Sequence, residues 1–320
     1  MNEFAPTQKF LHCPRQIQQF LNDDWMAPPV HVEISPTSVC NAKCPWCFYA
    51  DNDAKKGRVE IPYDTMLEAL RTMSHMGVKA ISWTGGGDPS MHPQIEALIY
   101  NAHQLGFRQG MFTNARKAIV EPHLLDWIRI SITEDYVLPA QVAAYAQATK
   151  VGVCFNLCAS NLDKLKSVVI QADRAHVAYL QIRPALAPTA AQQEVVECPR
   201  WLHEHSSRGM RIILTEYKWQ DCMQPHGYPI CYGHHFVPFI WHNGDVDVCA
   251  YHFGEGTFTF GNLREESFDK IWRGTMRSQM IHGGVAVVDN CQHCCKNHEL
   301  NKTLAALAGN IPAPSDPFFI

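Results

Sequence analysis

The chain has 320 residues, 46% of them apolar, with 13 cysteines and a formal net charge of −4. That length holds one large domain, or a domain with an appendage. Basic residues are scattered, which argues against a nucleic-acid partner, since phosphate neutralisation needs a basic face. No run approaches the ~18 apolar residues of a membrane span, so no membrane partner is expected. Met1-Asn2-Glu3-Phe4 lacks the basic n-region of a secretory signal. Cysteines in such a chain point to metal ligation in a reducing cytoplasm rather than to disulfides.

In chain order, residues 1–30 form a short N-terminal segment, with a helical stretch at Gln16–Leu21 that breaks at Pro28-Pro29. The apolar run Val30 to Ile34 then reads as a strand, followed by Cys40, Cys44 and Cys47 at C-x3-C-x2-C spacing. Thiolates this close on one loop can wrap one face of an iron–sulfur cube and leave one iron without a protein ligand. The alternative is a zinc knuckle, but three cysteines without a nearby fourth Cys or His make a poor zinc cage. The loop resembles the cluster loop of the radical S-adenosylmethionine (SAM) superfamily. The resemblance implies a [4Fe–4S] cluster on Cys40, Cys44 and Cys47, with the open iron chelated by SAM. Trp46 matches a position that lies near the adenine in that family.

From residue 31 to 205 strand and helix alternate. Strand-like runs recur at Val32–Ser35, Ala80–Thr84, Gln109–Thr113, Trp127–Ile132, Val151–Leu157 and Tyr179–Arg183. Between the first two, Met66, Leu67, Leu70 and Met73 share one helical face. Six β/α units imply a curled parallel sheet covered by helices, too few for the eight-stranded barrel. The predicted fold class is therefore α/β, a partial (β/α)6 TIM-like barrel, as the resemblance also implies. Its site is expected at the C-terminal ends of the strands.

After the second strand comes Thr84-Gly85-Gly86-Gly87-Asp88-Pro89. Glycines let a backbone approach a ligand closely. The turn resembles the family's Gly-Gly-Glu-Pro motif, which holds the amino group of SAM, but Asp88 stands where Glu is usual and one glycine is added. By the same resemblance Asn114, Ser131, Asn156 and Arg183, at or near later strand ends, are candidate contacts for the ribose and carboxylate of SAM. Arg183 has the fork geometry to pair with a carboxylate. Cys154 and Cys158 read as core thiols.

Residues 206–320 carry a second cysteine set: Cys231, then Cys249 after Gly244-Asp245-Val246-Asp247-Val248, then Cys291, Cys294 and Cys295. Phe236–Trp241 and Val246–Tyr251 read as strands joined through Asn243-Gly244, a hairpin signal. This tail resembles the small α+β auxiliary-cluster module of SPASM and twitch radical SAM enzymes. The resemblance implies a second, auxiliary [4Fe–4S] cluster on Cys231, Cys249, Cys291 and Cys294, with Cys222 and Cys295 outside the set. A four-cysteine zinc site is the alternative. The closing stretch from Asn297 to Ala308 reads as a helix that packs on the body and offers no site.

The resemblance implies reductive cleavage of SAM to a 5′-deoxyadenosyl radical, fed by a flavodoxin- or ferredoxin-type electron donor, and hydrogen abstraction from a substrate carbon. The expected substrate is a small polar molecule of the sugar, aminocyclitol or nucleoside type, oxidised with the auxiliary cluster as electron acceptor. A ribosomally made peptide is the alternative. It is set second because a segment of ~30 residues is below the ~40 that a separate leader-binding domain needs. Epimerisation with a cysteine hydrogen donor is the other alternative.

Overall fold

The computed structural model describes residues 6–49, 57–185, 202, 209–215, 226–282, 291, 295 and 297–310. Seven strands pair in parallel in chain order: β1 (His31–Ile34), β2 (Ala80–Trp83), β3 (Arg108–Thr113), β4 (Trp127–Ser131), β5 (Lys150–Leu157), β6 (Tyr179–Pro184) and β7 (Arg211–Leu214). The six expected runs are all strands, and β7 is an addition. On the other side of β1 lies β8 (Phe239–Ile240), also parallel, which turns back antiparallel into β9 (Asp245–Asp247) and then β10 (Thr259–Asn262). The strand order is β10-β9-β8-β1-β2-β3-β4-β5-β6-β7. The sheet is an incomplete barrel with the tail hairpin built onto its first strand.

Helices α1 (Pro6–Phe10) and α2 (Pro14–Leu21) precede the sheet. The crossovers use α3 (Tyr63–Met76), α4 (Ile95–Gln104), α5 (Val142–Ala148) and α6 (Leu165–Arg174), and the tail carries α7 (Phe268–Trp272), α8 (Thr275–His282) and α9 (His298–Leu307). Helix α3 buries Met66, Ala69, Leu70 and Met73, one helical face, and stops at Gly77. That glycine adopts φ +94°, the left-handed cap.

Successive strand residues point to opposite faces of a sheet. One face here is apolar and buried under the helices: Ile34, Trp83, Ile128, Ile130, Val153 and Ile182 belong to the main core. The other face carries half-buried Phe112, Arg129, Ser131, Asn156, Gln181 and Arg183. Arg129 stacks 4.1 Å from the centre of the Phe112 ring and donates to Gln181 Oε1 at 2.8 Å. The concave side of the barrel is thus polar and structured. A second core joins the N-terminal segment to the tail, with Phe10, Phe236, Leu300 and Leu304 at its centre. Trp272 Nε1 donates to the Ala27 carbonyl at 2.8 Å, and buried Arg277, stacked 3.5 Å over Trp272, donates to the Trp25 carbonyl.

Candidate active site and cluster sites

The strands deliver the predicted residues to one rim. The cysteine loop leaves β1 and the glycine turn leaves β2, and three hydrogen bonds lock them together. Gly86 N–H donates to Ser35 Oγ at 2.9 Å, Gly87 N–H to the Thr37 carbonyl at 3.0 Å and Asp88 N–H to the Val39 carbonyl at 2.8 Å. A Cβ on Gly87 would lie 2.3 Å from the Val39 carbonyl oxygen and 2.5 Å from the Ser38 carbonyl carbon. Only glycine permits that approach, because backbone cannot swing aside as a side chain can. A Cβ on Gly85 would collide with the Gly87 carbonyl.

Asp88 is buried and its carboxylate is fully used within the protein. Oδ1 accepts from Ser90 N–H at 3.0 Å, Ser90 Oγ at 2.7 Å and Thr113 Oγ1 at 2.8 Å, and Oδ2 accepts from Asn114 N–H at 2.6 Å. It ties the glycine turn to the end of β3. Asn114 in turn faces the cysteine loop: its Nδ2 donates to Asn41 Oδ1 at 2.7 Å and lies 3.9 Å from Cys40 Sγ.

Two residues that sequence reasoning missed complete this side. Arg116 donates to the Asn41 carbonyl at 2.8 Å and to Glu134 Oε1 at 3.1 Å, and the Cys44 thiol donates to Glu134 Oε2 at 3.4 Å. Burial raises the Glu134 carboxyl. Hydrogen bonds from backbone amides and Cys44, with the Arg116 charge, outweigh it and hold Glu134 below the ordinary carboxylate range. The only signal available in the sequence was position, three residues beyond Ser131 at the end of β4.

Cys40, Cys44 and Cys47 are free thiols, each half-buried. Trp46 between them is buried against Tyr136, Cys158 and Ala185. Ser131 and Cys154 are register partners on β4 and β5, and Asn156 and Arg183 on β5 and β6, with Arg183 Nε donating to Asn156 Oδ1 at 2.6 Å. Cys154 and Cys158 are buried core thiols as read from the sequence.

The tail hairpin reaches the same rim. Tyr49, two residues past Cys47, sits edge-on to Trp241 at 5.8 Å, and Phe48 meets Tyr251 at 4.8 Å. Burial pushes the Tyr49 hydroxyl well above its ordinary range, reinforced by the Cys47 and Cys249 thiols and opposed by the Arg183 charge. Tyr49 thus packs the first cysteine loop onto the tail cluster of Phe239, Trp241 and Ala250.

Burial raises the Tyr228 hydroxyl, with the Cys295, Cys231 and Cys291 thiols adding to it, and the Cys249 thiol is raised in part by Cys295 and Cys231. Burial, then the nearby Cys295, pushes the Cys231 thiol up to about 11, and burial also pushes Cys249 well up. Thiols crowded and buried in this way become thiolates only when a metal shares their charge, which suits an iron–sulfur centre. The expected ligand Cys294 and the thiol Cys222 lie outside the described residues. Among the described residues no three His, Cys, Asp or Glu side chains converge as on a single metal ion.

A family profile described as the radical SAM superfamily matches residues 34–215. The chain belongs to that superfamily. A second profile, SPASM, an iron–sulfur cluster-binding domain, matches residues 231–295, from the first tail cysteine to Cys295. This radical SAM enzyme thus has SAM and a [4Fe–4S] cluster as cofactors, with auxiliary iron–sulfur binding in its tail. Over 102 residues it is 33% identical to an S-adenosylmethionine-dependent nucleotide dehydratase of Lacinutrix mariniflava, covering 29% of this chain and 21% of the relative. It is also 33% identical over 82 residues to a GTP 3′,8-cyclase of Chlorobaculum tepidum, 26% of this chain and 24% of that one. The match spans about a fifth to a quarter of the length of those relatives. Among solved structures, Streptococcus suis SuiB bound to S-adenosylmethionine superposes with TM-score 0.61 at 15% identity, covering 88% of this chain and 74% of that one. For anSMEcpe with bound AdoMet the TM-score is 0.55 at 14% identity, with 86% and 88% covered. At these identities the likeness shows the fold alone. No helix among the described residues is long and apolar enough to cross a membrane.

Proposed function

We propose that this radical SAM enzyme abstracts hydrogen from a small polar substrate, of the sugar, aminocyclitol or nucleoside type, and oxidises it with an auxiliary [4Fe–4S] cluster as electron acceptor. The observation that carries the reading is Tyr49, two residues past Cys47, which packs on the Phe239, Trp241 and Ala250 cluster of the tail beside Cys249 and so joins the two cysteine segments. When bound, SAM and its reduced cluster supply a 5′-deoxyadenosyl radical that takes a hydrogen atom from carbon, and the auxiliary cluster accepts the electron that the substrate gives up as it loses a proton.

In this reading Cys40, Cys44 and Cys47 hold the first cluster, and Gly85, Gly86 and Gly87 offer the backbone edge along which SAM lies. Asn114, Ser131, Asn156, Arg183 and Trp46 line the remainder. Asp88 serves by fixing the turn and Asn114 rather than by touching SAM, since all its contacts are internal. Cys231, Cys249 and Cys291 hold the auxiliary cluster. Cys294 is the expected fourth ligand, and Cys295, near Cys231 and Cys249, is a second candidate for that place. Tyr49, Trp241 and Tyr251 keep water from the space between the sites. The polar concave face, with Arg129 held by Gln181 and Arg183 by Asn156, suits a substrate rich in hydroxyl or phosphate oxygens. The nucleotide-directed names of the partial relatives support the small-molecule class, and a flavodoxin- or ferredoxin-type protein is the expected donor.

The test is anaerobic incubation with SAM, a reductant and a panel of deuterated sugars, aminocyclitols and nucleosides. The expected result is deuterium in 5′-deoxyadenosine and a product two hydrogens lighter than the substrate. A product of unchanged mass that gains one deuterium from heavy water would point instead to a cysteine hydrogen donor and epimerisation. Turnover only with a ribosomal peptide would overturn the substrate class.

A further inference from the structure

Asn301, in the first half of α9, is 1% exposed. Its Oδ1 accepts the Tyr232 N–H at 2.8 Å and the Gly233 N–H at 2.7 Å. Two backbone donors on one atom fix which end of the amide is oxygen, because the reversed amide would set its own N–H groups against them. The Nδ2 end must then face inward, where it lies 3.4 Å from Cys231 Sγ. Both acceptor sites of the oxygen are in use and the nitrogen faces the sulfur, so the reversed amide would lose all three contacts. Leu300 and Leu304, on the same helix, anchor it by packing with Phe10 and Phe236.

We propose that Asn301 is a positioning residue of the auxiliary cluster. It holds the Cys231 thiolate and, by donating a hydrogen bond to its sulfur, raises the reduction potential of that cluster. Reduction adds negative charge to the iron–sulfur unit and its thiolates, so a fixed donor stabilises the reduced form more than the oxidised one. A neutral amide does this without burying a second charge, which would need its own partner. The consequence is an auxiliary cluster better able to take an electron from substrate. The inference rests on the auxiliary-cluster reading above and goes beyond it by naming the group that tunes the cluster.

The experiment uses the full chain carrying Cys40→Ala, Cys44→Ala and Cys47→Ala, so that only auxiliary iron remains. Iron content and the midpoint potential, followed by electron paramagnetic resonance, are compared with those after adding Asn301→Asp or Asn301→Ser. Asp keeps the oxygen that accepts from Tyr232 and Gly233 and loses the donor to sulfur. Ser is neutral and too short to reach the sulfur. About four irons per chain should remain in each, with the midpoint more negative in both variants and most negative for Asp. A loaded variant with an unchanged midpoint overturns the proposal. So does loss of iron from both variants in protein that remains folded by circular dichroism, which would leave Asn301 a purely structural role. Absence of iron before either Asn301 change is made would instead sink the auxiliary-cluster reading itself.

Discussion

Asp88 occupies the position where the related turn carries Glu, and its shorter side chain binds the protein's own donors. Removing it leaves the Asn114 N–H, the Ser90 N–H and two hydroxyls without their acceptor in a buried place. Asp88→Ala should therefore lower stability by roughly 3 kcal/mol, as expected for orphaned buried donors. SAM affinity should fall with it, because Asn114 and the glycine turn lose their tie. Denaturant titration alongside SAM binding checks this, and weaker SAM binding at undiminished stability would mean a direct contact instead. The cysteine spacing and glycine turn were legible because covalent spacing alone brings their atoms close. Arg116, Glu134 and Asn301 were not, because each acquires its role from residues distant in sequence. Asn301 is 70 positions from Cys231, inside a helix whose periodicity reports only packing.

Among the elements, the first six parallel strands, the crossover helices α3 to α6 and the Asn243-Gly244 hairpin carry local signals, and Gly244 indeed adopts φ +97° in the loop between β8 and β9. The short run Arg211–Leu214 carries none strong enough to mark β7, which is a strand because β6 offers it a parallel edge. The predicted strand through Tyr251 stops at Asp247, so Cys249 lies beyond the ladder. The hairpin also presents His242, whose Nδ1 lies 3.5 Å from Ser35 Oγ, the atom that accepts Gly86 N–H. A neutral imidazole is the form that can accept the Ser35 hydroxyl proton. Burial lowers the His242 pKa to about 4, against 6.5 as the ordinary value. The folded chain thus excludes a proton that the unfolded chain takes up below pH 6.5, so the stabilisation is complete above that pH and is lost on the way down to about 4. Between pH 7.5 and 5 the cluster-free protein should lose about 2 kcal/mol more stability than its His242→Gln variant. Equal losses in urea titrations at the two pH values would show that His242 is not buried in neutral form.

For the whole molecule, the N-terminal segment, barrel and tail form linked cores, and the SPASM-matched tail is joined to β1 through β8. Both cysteine sites therefore depend on one sheet. Anaerobically prepared protein should hold about eight irons per chain, in two [4Fe–4S] clusters. Elemental analysis that found zinc in place of half the iron would make the tail a structural zinc site and leave the oxidation without its acceptor.

The central claim is that Cys40, Cys44 and Cys47 form the site of SAM cleavage, and the direct measurement is 5′-deoxyadenosine produced under anaerobic conditions from SAM and a strong reductant. The wild-type chain should form it. Cys40→Ala, Cys44→Ala and Cys47→Ala should each abolish it, because each removes a ligand from the cluster that must bind SAM. Cys231→Ala should keep a measurable rate, provided it folds, since the first cluster is intact. Formation of 5′-deoxyadenosine at the wild-type rate by any of the first three variants would contradict the account.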